Sequence, residues 1–230
     1  MNKALKIVLE ILLFIGIVAL VYAIYSSIMK PVNFNKQKER REAVAIQRLK
    51  DIRTLQVAYK SVNGKFVSTV DSLKNFYENG KMSVVMQIGS ADDSIAWAHT
   101  EKVKKANRKI TPEKLLEMYE AGDKNLVFSV VTQIPVKDTL FTSREDFCID
   151  SLKTIPFSGG EPLEMAAETH MVSGVPVPLF EAKMPYKLLL KGMDNQLRIN
   201  LDSDRRDQNK YEGLQVGSIT APNNNAGNWE

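Results

Sequence analysis

Cysteine is nearly absent from this chain of 230 residues: Cys148 stands alone, which excludes an intramolecular disulfide framework and leaves no CxxC pair for zinc or dithiol chemistry. Set between Phe147 and Ile149, it is expected to be a small buried hydrophobe rather than a reactive thiol. Histidine is scarce too, and His99 and His170 lie too far apart in sequence to make a local metal motif. No HExxH, GxSxG or phosphate-binding glycine loop is present, and no nucleophile stands beside a base. Gly159-Gly160, flanked by Phe157-Ser158 and Glu161-Pro162, has the composition of a turn, not of a phosphate cradle. Basic charge is not gathered in one block: 31 lysines and arginines are interleaved with 27 acidic residues for a net charge of +4, which gives nucleic-acid binding little support. These absences argue against an enzyme and single out no catalytic, cofactor-binding or metal-ligating residue.

What is present begins with a long hydrophobic run. From Ile11 to Ile28 every residue is apolar, small or of an interfacial type. Eighteen helical residues cover about 27 Å, and extension back to Ile7 and on to Met29 crosses a hydrocarbon core of about 30 Å. A cleavable signal peptide has an apolar region of only about 7 to 15 residues ending at a small-x-small site; this run is longer, and Met29-Lys30-Pro31 follows it. An uncleaved anchor is therefore expected over residues 1–30, with Tyr22 and Tyr25 near one interface and Glu10 near the other. Counting basic residues alone, Lys3 and Lys6 before the span against Lys30, Lys36, Lys38, Arg40 and Arg41 after it, would put the larger domain in the cytoplasm.

Pro31 is expected to kink or interrupt the helix. After it, Val44, Ile46, Leu49, Ile52, Leu55 and Tyr59 recur at three- and four-residue steps, which predicts an amphipathic helix with Arg41, Arg48, Lys50, Asp51 and Arg53 on the opposite face. Asn63-Gly64 should end it.

This stretch resembles the amino-terminal region of type IV pilins and type II secretion pseudopilins. The resemblance is carried by Arg41-Glu42-Ala43, Leu49-Lys50-Asp51-Ile52-Arg53-Thr54, Ala58-Tyr59, Asn63-Gly64-Lys65-Phe66 and Val70-Asp71-Ser72-Leu73, and covers about residues 7–80. Glu10 and Pro31 are similar to the family's early-helix glutamate and mid-helix proline. Leu5 stands where prepilin processing needs glycine or alanine, and no proline follows Phe66. The resemblance implies a stalk helix packed on an antiparallel sheet, a single-pass inner-membrane protein with its carboxy-terminal domain in the periplasm, and partners in the membrane and in an envelope complex, including other copies of itself. Some pseudopilins bind calcium in the head, and Asp202-Ser203-Asp204 with Asp207 looks like part of a calcium loop. The glycine and terminal glutamate of an EF-hand are missing and Arg205 and Arg206 stand alongside, so a solvated charge cluster is expected there.

With 44% hydrophobic residues, the chain can hold one anchor and one sizeable domain. The expected class is α+β: residues 31–80 form the stalk helix, a turn and a short helix, and residues 81–230 form a head with a helical insertion near 89–124. In the head, Ser68 or Thr69 starts a short helix that Gly80 ends in a left-handed conformation. Ser83 to Ile88 reads as β-rich, and Thr111-Pro112 as a helix start. Leu126 to Ile134 reads as a strand paired to, or continued by, Val136 to Phe141. Pro162–Val172 and Val175–Met184 form a hairpin around Ser173-Gly174, with Pro176 and Pro178 pushing the second strand toward an edge. Gln196 to Leu201 alternates like a half-buried strand, and Gly213 to Thr220 is a last weak one. The tail ending in Trp229 is either flexible or docked through its indole. The functional expectation is a structural or assembly component of a bacterial envelope machine; the alternative is a bitopic periplasmic scaffold or sensor binding a ligand or cell-wall partner.

Overall fold

The computed structural model describes residues 3–230; Met1 and Asn2 of the expected tail lie outside them, as do the side chains of Lys3 and Lys6. Helix α1 runs over Lys3–Asn63, 61 residues without a break. It passes through Pro31, so the expected interruption does not occur: one proline removes one hydrogen bond, and the turns on either side carry the helix on. Every side chain from Leu9 to Tyr25 is exposed. The helix ends at Asn63, where Gly64 donates its N–H to the Lys60 carbonyl at 2.8 Å.

The remaining elements are α2 (Val70–Asn79), β1 (Lys81–Ile88), α3 (Ser94–Ala106), α4 (Pro112–Glu120), β2 (Phe128–Pro135), β3 (Glu164–Val172), β4 (Val175–Pro185), α5 (Tyr186–Leu189), α6 (Asn195–Asp207) and β5 (Gly213–Gly217). The class is thus α+β, with two small antiparallel sheets, β1-β2 and β3-β4-β5. The chain divides into two compact units. The first takes the described residues up to Gln56, with Lys65–Val70 and Cys148–Glu230; the second takes Val57–Gly64 and Asp71–Phe147.

In the first unit, Ala45, Leu49, Ile52 and Leu55 of α1 are buried, and so are Phe180, Ala182 and Met184 of β4 and Leu214 and Val216 of β5. Full burial of each large aliphatic side chain contributes about 1.5–3 kcal/mol. Val44, expected on the apolar face, is exposed, and Ala45 takes the buried position. The hairpin pairs Val172 with Val175 and Glu164 with Lys183. Its turn residues Ser173 and Gly174 both have positive φ, as a two-residue hairpin turn requires. β4 is the central strand, not an edge, because β5 pairs with Glu181–Pro185. Pro176 and Pro178 lie beyond that overlap, where β4 has β3 alone beside it.

The stretch read as a strand at Gln196–Leu201 is helix α6. Asp194 caps it, accepting from the Leu197 N–H at 3.0 Å. Leu197 and Leu201 are four residues apart and share the half-buried side, while Ile199 between them is exposed.

In the second unit, Leu115, Leu126, Phe128 and Val130 form a core against which Val103, Ile110, Leu116 and Tyr119 pack. Thr111 caps α4 and Pro112 occupies its first turn, while Asp93 caps α3 by accepting from the Ile95 and Ala96 N–H groups. Thr100 is buried and its hydroxyl accepts from the Val127 N–H at 2.8 Å. β2 pairs with β1, not with the residues after it: Val136–Asp138 is a short 3₁₀ turn, and Val136 donates to the Gly80 carbonyl at 3.0 Å. Gly80 follows α2 without positive φ; a Cβ there would lie 2.3 Å from the Phe76 carbonyl oxygen, so close approach selects glycine.

Candidate functional site

The first unit holds α1 by a seam of side-chain bonds that the sequence did not reveal. Arg41, read as part of a solvated face, donates from Nη1 to the carbonyls of Leu189 at 3.0 Å and Lys191 at 2.9 Å. These lie at and just past the end of α5, where helix carbonyls lack partners of their own. The same guanidinium stands 4.9 Å from the Phe157 ring centroid. At the next residue, the Glu42 carboxylate accepts from the Tyr186 hydroxyl at 2.5 Å. Burial, helped by Glu42, pushes the Tyr186 hydroxyl well above the usual tyrosine range, so it remains a donor at all ordinary pH.

Arg48, seven residues after Arg41, repeats the device. Its Nη1 donates to the carbonyls of Ser151 at 2.8 Å and Thr154 at 2.9 Å. Burial lowers its pKa from the ordinary arginine value, against a small opposing effect of Cys148. Asp51, also read as solvent-facing, is buried. Gln56 completes the seam. Fully buried, it donates from Nε2 to the Val67 carbonyl at 2.6 Å and accepts at Oε1 from the Val67 N–H at 3.1 Å. The amide therefore satisfies both backbone groups of Val67, as a strand neighbour would. Arg41, Arg48 and Gln56 thus lie on one side of α1, at seven- and eight-residue steps.

The carboxy-terminal tail docks on the same unit. Gly217 donates to the Ala226 carbonyl at 3.0 Å, Asn228 to the Gln215 carbonyl at 3.0 Å, and Val216 bridges to Gly227. Arg53 of α1 pairs with the Glu230 side chain at 2.6 Å. The Trp229 indole covers Gly227 so closely that a Cβ there would meet the ring at 2.3 Å. Its Nε1 is buried without a hydrogen-bond partner. Of the two readings of the tail, docking is the one observed.

The histidines, the cysteine and the aspartate cluster are dispersed. His99 meets Asp123 at 2.8 Å in a half-buried pair, and His170 meets Glu168 at 3.0 Å in an exposed one. Cys148 is exposed, not buried as its neighbours suggested, because the chain enters a short 3₁₀ turn at Ile149 and it is Ile149 that points inward. Gly159 and Gly160 form a turn with positive φ at both. Asp202, Asp204 and Asp207 lie on α6 rather than in a loop, and Asp202 pairs with Arg198. Burial raises the Asp202 carboxyl above the usual carboxylate range despite Arg198, and its Oδ1 is buried without a partner. Among the described residues no three histidine, cysteine, aspartate or glutamate side chains converge to hold a metal ion. A cleft of about 600 Å³ opens beside α6, lined by Lys187, Arg198, Asp202, Arg206, Tyr211 and Glu212 among others.

The amino-terminal stretch of α1 is the other surface of note. By length and composition it is the one described helix long and apolar enough to cross a membrane. Its apolar side chains, Leu9 to Ile28, have no protein around them, whereas soluble proteins seldom leave so much contiguous apolar surface in water. Compared with known proteins, the chain matches no family model, no curated protein and no solved structure.

Proposed function

We propose that this chain is a non-enzymatic structural or assembly component of a bacterial envelope machine, similar to pilins and pseudopilins. In this reading the amino-terminal half of α1 sits in the inner membrane, the carboxy-terminal domain lies in the periplasm, and helix packing and head contacts do the work. The observation that carries the reading is the continuity of α1: one helix holds both the exposed apolar stretch and the stretch bonded into the first unit through Arg41, Glu42, Arg48 and Gln56. A force applied to the anchor would reach the head through unbroken backbone hydrogen bonds. The test is purification of the full chain from membranes after mild cross-linking, with a periplasm-dependent reporter fused after Glu230. Co-purification with itself or with other membrane proteins, and an active reporter, are expected. A strictly monomeric protein free of membrane partners would refute the assembly role, and an inactive reporter the orientation.

One observation favours a second reading, a bitopic scaffold or sensor with a ligand-binding head. The cleft beside α6 carries Lys187, Arg198 and Arg206, and could take a small anionic group such as a cell-wall fragment. Saturable binding of such fragments, lost on Arg206→Ala, would move the assignment there.

A further inference from the structure

Residues 83–88 read Ser-Val-Val-Met-Gln-Ile and residues 129–134 read Ser-Val-Val-Thr-Gln-Ile. The two strands of the β1-β2 ribbon are near-copies of one hexapeptide, and they pair antiparallel. Val85 faces Val131, Ser83 faces Gln133 and Gln87 faces Ser129, which is the register of the hexapeptide laid on itself about its third residue. The pairing is chemically complementary on the exposed face. Gln133 donates from Nε2 to the Ser83 hydroxyl at 2.7 Å, and the Ser129 hydroxyl donates to Gln87 Oε1 at 2.6 Å. Val85 and Val131 meet between these polar pairs, 67% and 57% exposed.

The sheet has two strands only, so each leaves one backbone edge without a strand beside it among the described residues. Edges of this kind are normally blunted by charge, proline or a bulge. The one charge on β1 is Lys81 at its first position; residues 83–88 contain no charge and no proline, and the strand pairs without a bulge along its whole length. β2 differs: it ends in Pro135, and its Phe128 and Val130 are buried in the core that also contains Leu115 of α4. Across the ribbon from Val130, Met86 of β1 remains 39% exposed.

We propose that β1 is a self-association edge whose occupant is β1 of a second copy of this chain. The two strands run antiparallel about a two-fold axis with each Val85 facing its symmetry equivalent, giving a four-stranded sheet in the order β2-β1-β1-β2. The choice of occupant rests on the ribbon itself, in which this hexapeptide already pairs with its own near-copy. In the dimer each Ser83 faces a Gln87 and each Val84 a Met86, repeating the pairing types seen inside the chain. A two-fold contact between identical edges closes at two copies, whereas β1 on β2 would propagate into open chains. The inference goes beyond the proposed function and holds whether or not the apolar stretch of α1 enters a bilayer.

Cysteine cross-linking of the full chain in intact cells tests this, in a Cys148→Ser background. Val85→Cys alone should form a disulfide-linked dimer under mild oxidant. Ser83→Cys and Gln87→Cys should cross-link when co-expressed, and neither when alone. Adding Val85→Lys to that co-expressed pair sets like charges face to face and should reduce the cross-link several-fold, and mixing Val85→Lys with Val85→Glu chains should restore it. Because Val85 points to solvent, protease resistance should be unchanged, and the restoration in mixed chains separates lost pairing from misfolding. No Val85→Cys dimer, a ladder of higher oligomers through Val85→Cys with Val131→Cys, or a Ser83–Gln87 cross-link indifferent to Val85→Lys would each overturn the proposal. Association through α1 alone would survive every one of these variants, and that outcome also refutes it.

Discussion

Replacing Gln56 with leucine tests how the first unit holds α1. Leucine and glutamine have similar helix propensities, so the helix itself should not feel the change. What is lost is the pair of bonds to Val67, at 2.6 and 3.1 Å, together with the 3.3 Å contact of Nε2 with Met165 Sδ. An unsatisfied buried polar group costs about 1–3 kcal/mol, and two half-buried backbone groups are stranded here. Leucine's own burial returns part of that loss, leaving an expected destabilisation of about 2–4 kcal/mol. Urea unfolding of the full chain in mild detergent, followed by fluorescence, measures it. Gln56→Glu sharpens the test. Protonated, the acid can donate to the Val67 carbonyl and accept from its N–H as the amide does; ionised, it can only accept, and its charge is buried. Its folded-state pKa must therefore exceed the ordinary value of about 4.3. The folded protein then holds the proton longer than the unfolded one, so stability approaches wild type at pH 4 and falls as pH rises through the interval up to the raised pKa. A loss below about 0.5 kcal/mol for Gln56→Leu, or a Gln56→Glu stability flat with pH, would refute the assigned role of Gln56.

Further predictions concern other parts of the first unit. Gly227→Ala, in a Trp97→Phe background, should expel the Trp229 indole, read as a red shift of the remaining tryptophan emission. Arg53→Ala removes an exposed ion pair with Glu230, so its effect on unfolding should stay below about 1 kcal/mol. Arg48→Met strips two carbonyls of their donor and should cost more than Arg53→Ala in the same assay. Burial raises the Asp202 carboxyl, so this group's contribution to stability declines as pH climbs from the ordinary carboxylate value to the raised one. Asp202→Asn should remove that decline from a profile of melting temperature against pH.

The parts of the fold legible in the sequence were those set by local chemistry. Length and unbroken apolarity marked the amino-terminal stretch of α1, Asn63-Gly64 its end, Thr111-Pro112 the start of α4, and Ser173-Gly174 the hairpin. Where distant residues decide the outcome, the local signal misled. The alternation of Leu197, Ile199 and Leu201 imitates a strand, but the Asp194 cap and the shared face of Leu197 and Leu201 make a helix. Arg41 and Arg48 look like solvated charges because nothing nearby in sequence reveals the carbonyls of Leu189 and Thr154 that they satisfy. The pairing of β1 with β2 spans two helices, so a reading that joined neighbours placed Val136–Phe141 there instead. The seam was invisible for the same reason: each of its bonds from Arg41, Glu42 and Arg48 crosses more than a hundred residues.

Alkaline carbonate extraction of membranes from cells making the native chain, followed by sequencing of the amino terminus of the retained protein, bears most directly on the proposed anchor. The expected result is a protein that stays with the bilayer and still carries Ile11 to Ile28. Release into the aqueous fraction, or a mature chain that starts after Ile28, would contradict the account.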